Sequence, residues 1–176
     1  MVHAGVYYQP GSLKAEFCRL GVEETRQFCN EHAIPYRTTG KLLVAADESE
    51  LGRMRDLFSR CLDNGLEPAH LSAQELRARE PAVRGAGAIL VKESGITDYP
   101  AICKVMLNEF QSRGGEDHLG LEVSALNEHT DGVKVNAGGQ AFHTKQLTVC
   151  GGLQADRLAR MQGLNIDFRI LPFRGE

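Results

Sequence analysis

The strongest constraint on the fold is a run of three strand-like segments in the last third of the chain. LEVSALNE, VKVNA and AFHTKQLTVC are separated by Asp131-Gly132 and Gly138-Gly139. Short glycine-containing connections between such segments favour antiparallel hairpins, so the sequence predicts a β-meander. The end of the third segment, LTVC, is continuous and apolar, and we expect it to form a buried strand.

The chain before the meander begins with a helical pattern. Ser12 is placed to cap a first helix, in which Leu13, Phe17 and Leu20 recur at the spacing of one buried helix face. Gly21 weakens this helix, and we expect it to mark a close packing contact. The pattern therefore predicts a helix that packs against the core through its leucine and phenylalanine side.

Further helices and strands are predicted from their end signals. Asp47 and Glu50 cap a second helix that Asn64-Gly65 ends, Ser72 and Glu75 cap a third, and Asp98 caps a fourth that runs to Gly114-Gly115. TTGKLLVAA and GAGAILV are the predicted strands of this part, and a helix, GGLQADRLARM, and a last strand follow the meander. This order predicts an α+β fold with a mixed, largely antiparallel sheet and helices.

Composition and charge narrow the classes of partner. The net charge is −3 over 176 residues and no long basic block occurs, so the sequence predicts no nucleic-acid partner. The longest apolar runs, such as LLVAA, are far shorter than the roughly 20 residues that a membrane-spanning helix needs. Five cysteines are scattered without a C-x-x-C pair, which favours a reduced, cytoplasmic compartment and argues against a metal site.

Three segments carry residues suited to chemistry, and each has a purely structural alternative. His3, flanked by Tyr7 and Tyr8, could accept a proton from a substrate, or these residues could form the solvated edge of a strand. Arg174 could clamp a carboxylate or pair with an acid on the surface. The turn in LTVCGGLQADRLA could bring backbone N–H groups to a phosphate or only join a strand to a helix. No G-x-G-x-x-G segment occurs in the sequence.

Several segments occur together in an order that is typical of one enzyme family. They are HAGVYYQPGSLKAEFC, GKLLVA, SGITDYPAI, QSRGGE, CGGLQADRLA and PFRGE. The chain resembles the L-2-hydroxyglutarate oxidase/dehydrogenase family, within the larger group of FAD-dependent oxidoreductases that includes D-amino acid oxidase, glycine oxidase and sarcosine oxidase. The resemblance implies the substrate domain of a D-amino acid oxidase-like flavoprotein plus part of its Rossmann-like FAD domain.

The resemblance also implies an activity and a set of residues. Members of the family oxidise L-2-hydroxyglutarate to 2-oxoglutarate and pass a hydride to FAD. By its position in the family motif, His3 is the candidate catalytic base. The resemblance to the family also assigns substrate binding to Tyr7, Lys41, Tyr99 and Arg174. FAD binding is assigned to Gly5, Val123, Gly151, Gly152 and Leu153.

Family members are longer, and the resemblance divides this chain into four segments. Residues 1–35 are the active-site segment of the FAD domain, 36–120 the substrate-binding domain, 121–163 a return to the FAD domain, and 164–176 the start of a second substrate-domain segment. We therefore expect an internal fragment without the G-x-G-x-x-G unit, one that binds FAD weakly or not at all. Exposed apolar faces and strand edges on such a fragment predict a homodimer.

Two other functions remain open from the sequence. A non-catalytic truncated module would bind a small acid or a protein partner, and a flavin amine oxidase of the glycine or sarcosine oxidase type would act on N-substituted glycines. In the leading hypothesis the partner is a small 2-hydroxy acid, with contact to a membrane or quinone chain in the full-length enzyme. The expected location is the cytoplasm or the cytoplasmic face of a membrane.

Overall fold

The glycine pair that ends the fourth predicted helix is also the point at which the structure divides. The computed structural model describes residues 1–173 and separates into one unit from Met1 to Gly115 and a second unit that begins at Glu116. Gly114 has a φ of +85°, a conformation that glycine adopts without strain. We describe each unit by itself.

The first unit contains four α-helices, as the sequence predicts, and five short strands, of which the sequence predicts those formed by KLLVA and GAILV. Its helices are α1 (Leu13–Glu31), α2 (Leu51–Asp63), α3 (Ala73–Arg79) and α4 (Tyr99–Ser112). Its strands are β1 (Tyr36–Thr38), β2 (Lys41–Ala45), β3 (Pro68–Ser72), β4 (Gly87–Val91) and β5 (Gly95–Thr97). Together with the antiparallel strands of the second unit, these elements confirm the predicted α+β class.

Two small antiparallel sheets organise the first unit. One has the strand order β2–β4–β3, and the other pairs β1 with β5. All five residues of β4 are buried, which agrees with its continuous apolar sequence GAILV. Strand β3 was not predicted, because PAHLS begins with proline and alternates polar residues, a composition that is tolerated at the edge of a sheet.

Helix ends follow the local sequence signals closely. The Ser72 hydroxyl accepts a hydrogen bond from the Glu75 N–H while the Glu75 carboxylate accepts one from the Ser72 N–H, which confirms the predicted capping box of α3. These hydrogen bonds hold the pKa of the Glu75 carboxyl below its ordinary value. Gly65, with a φ of +73°, ends α2 as predicted, and Asp98 caps α4 through the Ala101 N–H at 3.1 Å.

The prediction that α1 packs through its leucine and phenylalanine side is wrong for the described residues. Leu13, Phe17 and Leu20 are 66%, 64% and 44% exposed, whereas Ala15 and Cys29 are the buried residues of the helix. The prediction for Gly21 is also wrong, because no heavy atom lies within 4 Å of the place where its Cβ would stand. Helical periodicity groups residues on one side but does not say which side meets the core.

The main core of the first unit includes the first residues of the chain. Ala4 and Val6 pack in one cluster with Cys61 of α2, Leu66 just after that helix and Ile89 of β4. Burial raises the pKa of the Cys61 thiol, so this sulfur is a protonated core atom at neutral pH. The N-terminal segment is therefore held by the core and does not lie loose on the surface.

The second unit begins with the predicted meander. Strands β6 (Val123–His129), β7 (Gly132–Ala137) and β8 (Gln140–Thr144) pair antiparallel in sequence order, and a short helix, α5 (Ala155–Met161), follows. Residue pairing shifts between Val123 and Ala125, which marks an irregularity at the start of β6. The meander prediction is thus confirmed.

The prediction that LTVC forms a buried strand is wrong for this structure. No strand is assigned after β8 in the described chain, and Val149 is 45% exposed. The last predicted strand, after α5, is likewise not formed among the described residues. A strand needs a partner for its backbone groups, and within residues 1–173 none pairs with either segment.

A buried ion pair ties the segment after α5 to that helix. Asp156 is buried, and its carboxylate accepts a hydrogen bond from Arg160 at 3.0 Å. Arg160 also donates to the Phe168 carbonyl at 2.8 Å. Burial by itself would raise the pKa of the Asp156 carboxyl, but hydrogen bonds from Arg160 and from the backbone of Ile170 hold it below its ordinary value.

Replacing Gly21 with alanine is expected to raise the free energy of unfolding by about 0.5–1 kcal/mol, because alanine restricts the unfolded chain and favours the helix. The matched Gly65→Ala change should lower that free energy by about 1–2 kcal/mol, because residue 65 is left-handed. Urea unfolding followed by circular dichroism measures both. A lower free energy of unfolding for Gly21→Ala would contradict this prediction and would show that other atoms pack against α1 at residue 21.

The Asp156 charge should make the stability of the second unit depend on pH. Because its folded-state pKa is depressed, the contribution is complete above the ordinary value near 3.8 and is lost as pH falls through the lower folded value. The melting temperature of Asp156→Asn should therefore fall less than that of the wild type from about pH 5 downward. Asp131→Asn, at an exposed turn, is the control, and equal slopes in all three chains would contradict the ion pair.

Candidate active site

The N-terminal segment presents chemical groups on one side and packs with the other. Val2, Ala4 and Val6 are each 4% exposed, whereas His3 and Tyr7 are exposed. Alternation with a period of two is the geometry of an extended chain, in which successive side chains point to opposite faces. The burial of the alternate residues thus turns the imidazole and the phenol outward.

A backbone bridge to β5 sets the position of His3. The Val2 N–H donates to the Gly95 carbonyl at 2.7 Å, and the Gly95 N–H donates to the Val2 carbonyl at 3.2 Å. Because Gly95 also pairs with Thr38 of β1, the N-terminal segment adds a third line of backbone to this small sheet. A Cβ at Gly95 would stand 2.8 Å from the Tyr36 hydroxyl, so the close approach requires glycine.

Tyr36 supports this bridge as a neutral phenol. Its hydroxyl is sealed from solvent and has no hydrogen-bond partner in the described chain. Burial raises the pKa of this hydroxyl, because the phenolate would lose its hydration. The Tyr36 ring therefore fills space beneath Gly95 and does not act as an acid or base.

The turn after His3 is held by the C-terminal end of α2. Gly5 has a φ of +83°, and its carbonyl accepts a hydrogen bond from the Tyr8 N–H at 3.2 Å. The Asn64 side chain donates to the Tyr8 carbonyl at 3.0 Å and to the Gly5 carbonyl at 3.4 Å. Arg60 donates to the neighbouring Tyr7 carbonyl at 3.4 Å. These donors satisfy carbonyl groups that the tight turn leaves outside any strand.

Lys41 and Tyr7 form a cationic corner beside this turn. The Lys41 Nζ lies 3.4 Å from the Tyr7 hydroxyl and 4.9 Å from the centre of its ring. At that distance the ring attracts the ammonium group through a cation–π interaction. The residue before the lysine, Gly40, donates its N–H to the Ser94 carbonyl at 2.9 Å, which brings the start of β2 to the start of β5.

These elements enclose a small cavity of about 190 Å³. It is lined by His3, Ala4, Gly5, Val6, Tyr7, Tyr8, Lys41 and Ser94. The lining combines an imidazole that can accept a proton, an ammonium that can hold an anion, and hydroxyl groups that can give or accept hydrogen bonds. This combination suits a small hydroxylated anion.

Two larger grooves have no imidazole in their lining. A groove of about 690 Å³ in the second unit runs between the meander and α5, and its lining is mainly leucine, valine and alanine. The first unit has a second groove of about 380 Å³ between α1 and α4. We take the cavity at His3 as the candidate active site, because residues predicted from the family motif converge there. A hollow of the same volume beside His129, His143 and Lys145 contains none of them.

Four of the predicted site residues come together, whereas Tyr99 does not. His3, Gly5, Tyr7 and Lys41 line the cavity at His3. Tyr99 instead lines the groove between α1 and α4, and its hydroxyl donates to the Met1 carbonyl at 3.2 Å. Arg174 lies outside the described residues.

The remaining predicted residues lie in the second unit. Val123 opens β6 opposite Ala137 and is half-buried. In the turn before α5, Gly152 has a φ of +52° and no heavy atom within 4 Å of its Cβ position, so its backbone is open to an approaching group. The adjoining Leu153 is 61% exposed. At Gly151, by contrast, a Cβ would meet the Leu158 side chain at 2.5 Å.

Sequence reasoning missed two residues of the site, Ser94 and Asn64. Asn64 was interpreted only as the end of α2, although its side chain holds the Gly5 turn. Ser94 immediately precedes β5 and becomes a wall of the cavity because Gly95 pairs with Val2. No local pattern reports a contact between segments so far apart in the chain.

Comparison with known proteins shows the family of this chain. The family model described as FAD dependent oxidoreductase matches residues 1–176. The chain belongs to this family. An L-2-hydroxyglutarate dehydrogenase from Salmonella houtenae is 50% identical over 177 residues, which is 100% of this chain and 42% of that protein. One from Escherichia coli K12 is 49% identical over 178 residues, again 100% of this chain and 42% of the relative.

The resemblance predicted from the sequence motifs is thus confirmed. The chain spans about 42% of the length of the curated relatives it matches. Among solved structures, glycine oxidase from Geobacillus kaustophilus gives a TM-score of 0.80 at 17% identity, covering 93% of this chain and 46% of that one. At that identity the likeness concerns the fold, which is the predicted D-amino acid oxidase-like fold.

Residues 1–173 lack a membrane-spanning helix and a cluster of metal ligands. No helix among them is both long and apolar enough to cross a membrane. No group of three or more His, Cys, Asp or Glu side chains in this range could hold a metal ion. All five cysteines are free thiols.

Asn64→Asp tests the hydrogen bonds from the Asn64 side chain to the Gly5 and Tyr8 carbonyls. The change keeps the side-chain shape but replaces the amide donor with a carboxylate oxygen that faces two carbonyl oxygens. We expect it to lower the free energy of unfolding by about 1–3 kcal/mol and to speed hydrogen exchange at the Tyr8 amide. Asn30→Asp, exposed on α1, is the matched control. Unchanged exchange at Tyr8 would contradict the assigned hydrogen bonds.

Proposed function

We propose that this chain carries the substrate side of an FAD-dependent oxidoreductase that oxidises a 2-hydroxy acid, with L-2-hydroxyglutarate as substrate and 2-oxoglutarate as product. The observation that carries the proposal is the convergence of His3, Tyr7 and Lys41 on one cavity. The Salmonella and Escherichia relatives, both L-2-hydroxyglutarate dehydrogenases, support the choice of substrate.

His3 is the proposed general base. Oxidation of an alcohol to a ketone removes the hydroxyl proton and a hydride from the same carbon, so one group must take the proton. A neutral imidazole can accept that proton. His3 is exposed on the open side of the N-terminal segment and lines the cavity, so its ring is accessible to a bound alcohol.

Lys41 and Tyr7 are the proposed holders of a substrate carboxylate. Lys41 makes no ion pair in the described chain, and its contact with Tyr7 is to a neutral phenol. A carboxylate entering the cavity would meet an ammonium charge that no protein carboxylate has already neutralised. Tyr99 and Arg174 remain proposed substrate residues by family position, with Arg174 as a counter-charge for the second carboxylate.

FAD, when bound, supplies the acceptor for the hydride from the substrate carbon. The residues proposed to hold it are Gly5, Val123, Gly151, Gly152 and Leu153. The open backbone of Gly152 fits a turn that a phosphate or ribityl chain approaches closely. The division into segments 1–35, 36–120, 121–163 and 164–176 belongs to this same proposal.

The other two hypotheses receive less support. A flavin amine oxidase would draw on the fold shared with glycine oxidase, but 17% identity carries no substrate preference. A non-catalytic binding module is disfavoured by a 50% identical relative that is a dehydrogenase. We also propose a cytoplasmic location, which the five free thiols support. We further propose a homodimer that forms through the exposed side of α1.

Transfer of this chain into a working relative tests the function. We would replace the matching segment of the Salmonella houtenae enzyme with residues 1–176 and follow L-2-hydroxyglutarate oxidation. The chimera should be active, and its His3→Asn variant should lose kcat by roughly 100-fold or more, because the proton acceptor is gone. His129→Asn, at the exposed end of β6, is the matched control and should keep the activity.

Flavin absorbance separates two causes of inactivity in this experiment. A His3→Asn chimera that retains its flavin spectrum and loses turnover supports a role for His3 in proton transfer. Full activity of that variant would refute the base assignment. A wild-type chimera with bound flavin that oxidises glycine or sarcosine but not L-2-hydroxyglutarate would replace the proposed substrate class with the amine oxidase alternative.

A further inference from the structure

One hydroxyl group in the cavity at His3 belongs to a residue without an assigned role. Ser94 is only 2% exposed, yet it lines the cavity together with His3, Tyr7 and Lys41. A buried polar side chain at the wall of a cavity needs an explanation, because burial removes its hydration.

The backbone around Ser94 is fixed on every side. Its carbonyl accepts the Gly40 N–H at 2.9 Å, and the next residue, Gly95, is bound to Val2. The preceding side chain, Glu93, accepts the Glu67 N–H at 2.7 Å. The Cα of Ser94 therefore has a fixed position beside the cavity, and a binding residue needs such a rigid support.

The Ser94 hydroxyl itself makes no hydrogen bond to any residue between 1 and 173. Four side-chain oxygen atoms of the described chain are both sealed from solvent and unpartnered, those of Tyr36, Asn64, Glu93 and Gln162, and Ser94 is not among them. The small remaining exposure of Ser94 therefore includes its hydroxyl. Since Ser94 lines the cavity at His3, that hydroxyl opens into the cavity.

We propose that Ser94 is a substrate-binding residue whose hydroxyl donates a hydrogen bond to a carboxylate oxygen of the bound 2-hydroxy acid. This inference rests on the proposed function and adds a contact to it. Lys41 supplies a charge on a flexible side chain, which attracts a carboxylate without fixing its direction. A hydroxyl on a fixed backbone supplies the direction. Ser94 takes no part in moving the proton, which is left to His3.

This assignment has an energetic signature that a structural serine lacks. A serine that stabilises the fold through its hydroxyl loses a hydrogen bond when it becomes alanine, and the protein melts earlier. Ser94 has no such bond to lose within the described chain. Ser94→Ala should therefore keep or raise the melting temperature of the free protein while it weakens binding of the acid.

The test uses the complete 176-residue chain with L-2-hydroxyglutarate as the probe. A ligand that binds only the folded state raises the melting temperature, and this readout needs neither flavin nor turnover. We expect the wild type to be stabilised by the acid and Ser94→Ala to need about tenfold or more ligand for the same shift, as for loss of a hydrogen bond to a charged group. Ser112→Ala, which loses an exposed hydrogen bond to the Glu109 carbonyl, is the matched control.

The outcomes separate the two proposals. A Ser94→Ala chain that melts as the wild type does without ligand and responds to the acid equally would overturn the role of Ser94, as would a wild type that does not respond at all. A Ser94→Ala chain that melts clearly earlier without ligand would assign the hydroxyl to the fold instead.

In the chimera, Ser94→Ala should raise KM by about tenfold and leave kcat nearly unchanged. Loss of turnover in the wild-type chimera would count against the proposed function alone, since ligand-induced stabilisation does not depend on it.

Discussion

The candidate site depends on two hydrogen bonds between Val2 and Gly95. They join the first residues of the chain to β5 and leave His3 on the open face. A bridge of this kind closes a loop of more than ninety residues, and closing so long a loop costs conformational entropy that other contacts must offset. The burial of Ala4 and Val6 in the main core supplies that offset.

The same short segment therefore serves the core and the chemistry. Val2, Ala4 and Val6 are buried, and His3 and Tyr7 are exposed at the cavity. A shift of the pairing by one residue would exchange the two sets and place the imidazole in the core. Gly5 and Gly95 guard against such a shift, because each occupies a position where a side chain would collide with a neighbour.

Sequence reasoning succeeded where structure is decided by neighbouring residues. The capping box of Ser72 and Glu75, the glycine at the end of α2 and the turns of the meander all depend on contacts a few residues apart. It failed where a distant partner decides the outcome. Leu13 and Phe17 share a helix side as predicted, but the spacing does not reveal what that side meets. LTVC has the composition of a buried strand and lacks a paired strand in the described chain.

The candidate site likewise contains residues that the sequence motif reveals and a residue that only distant contacts place there. His3, Tyr7 and Lys41 were named from the family motif, and the structure brings them to one cavity. The sequence does not reveal Ser94 as a site residue. Its position depends on the hydrogen bond from the Gly40 N–H to its own carbonyl and on the pairing of the next residue, Gly95, with Val2. Residues placed by tertiary backbone contacts leave no periodic signal in the sequence.

The link between the Gly40 N–H and the Ser94 carbonyl has a consequence for how such enzymes diversify. It joins the two sides of the cavity through main-chain atoms, so its geometry does not depend on the identity of the side chains that line the pocket. Lys41 and Ser94 can then be exchanged for other residues while the walls stay at the same separation. A cavity built in this way can change the small molecule that it fits over evolutionary time without a new scaffold.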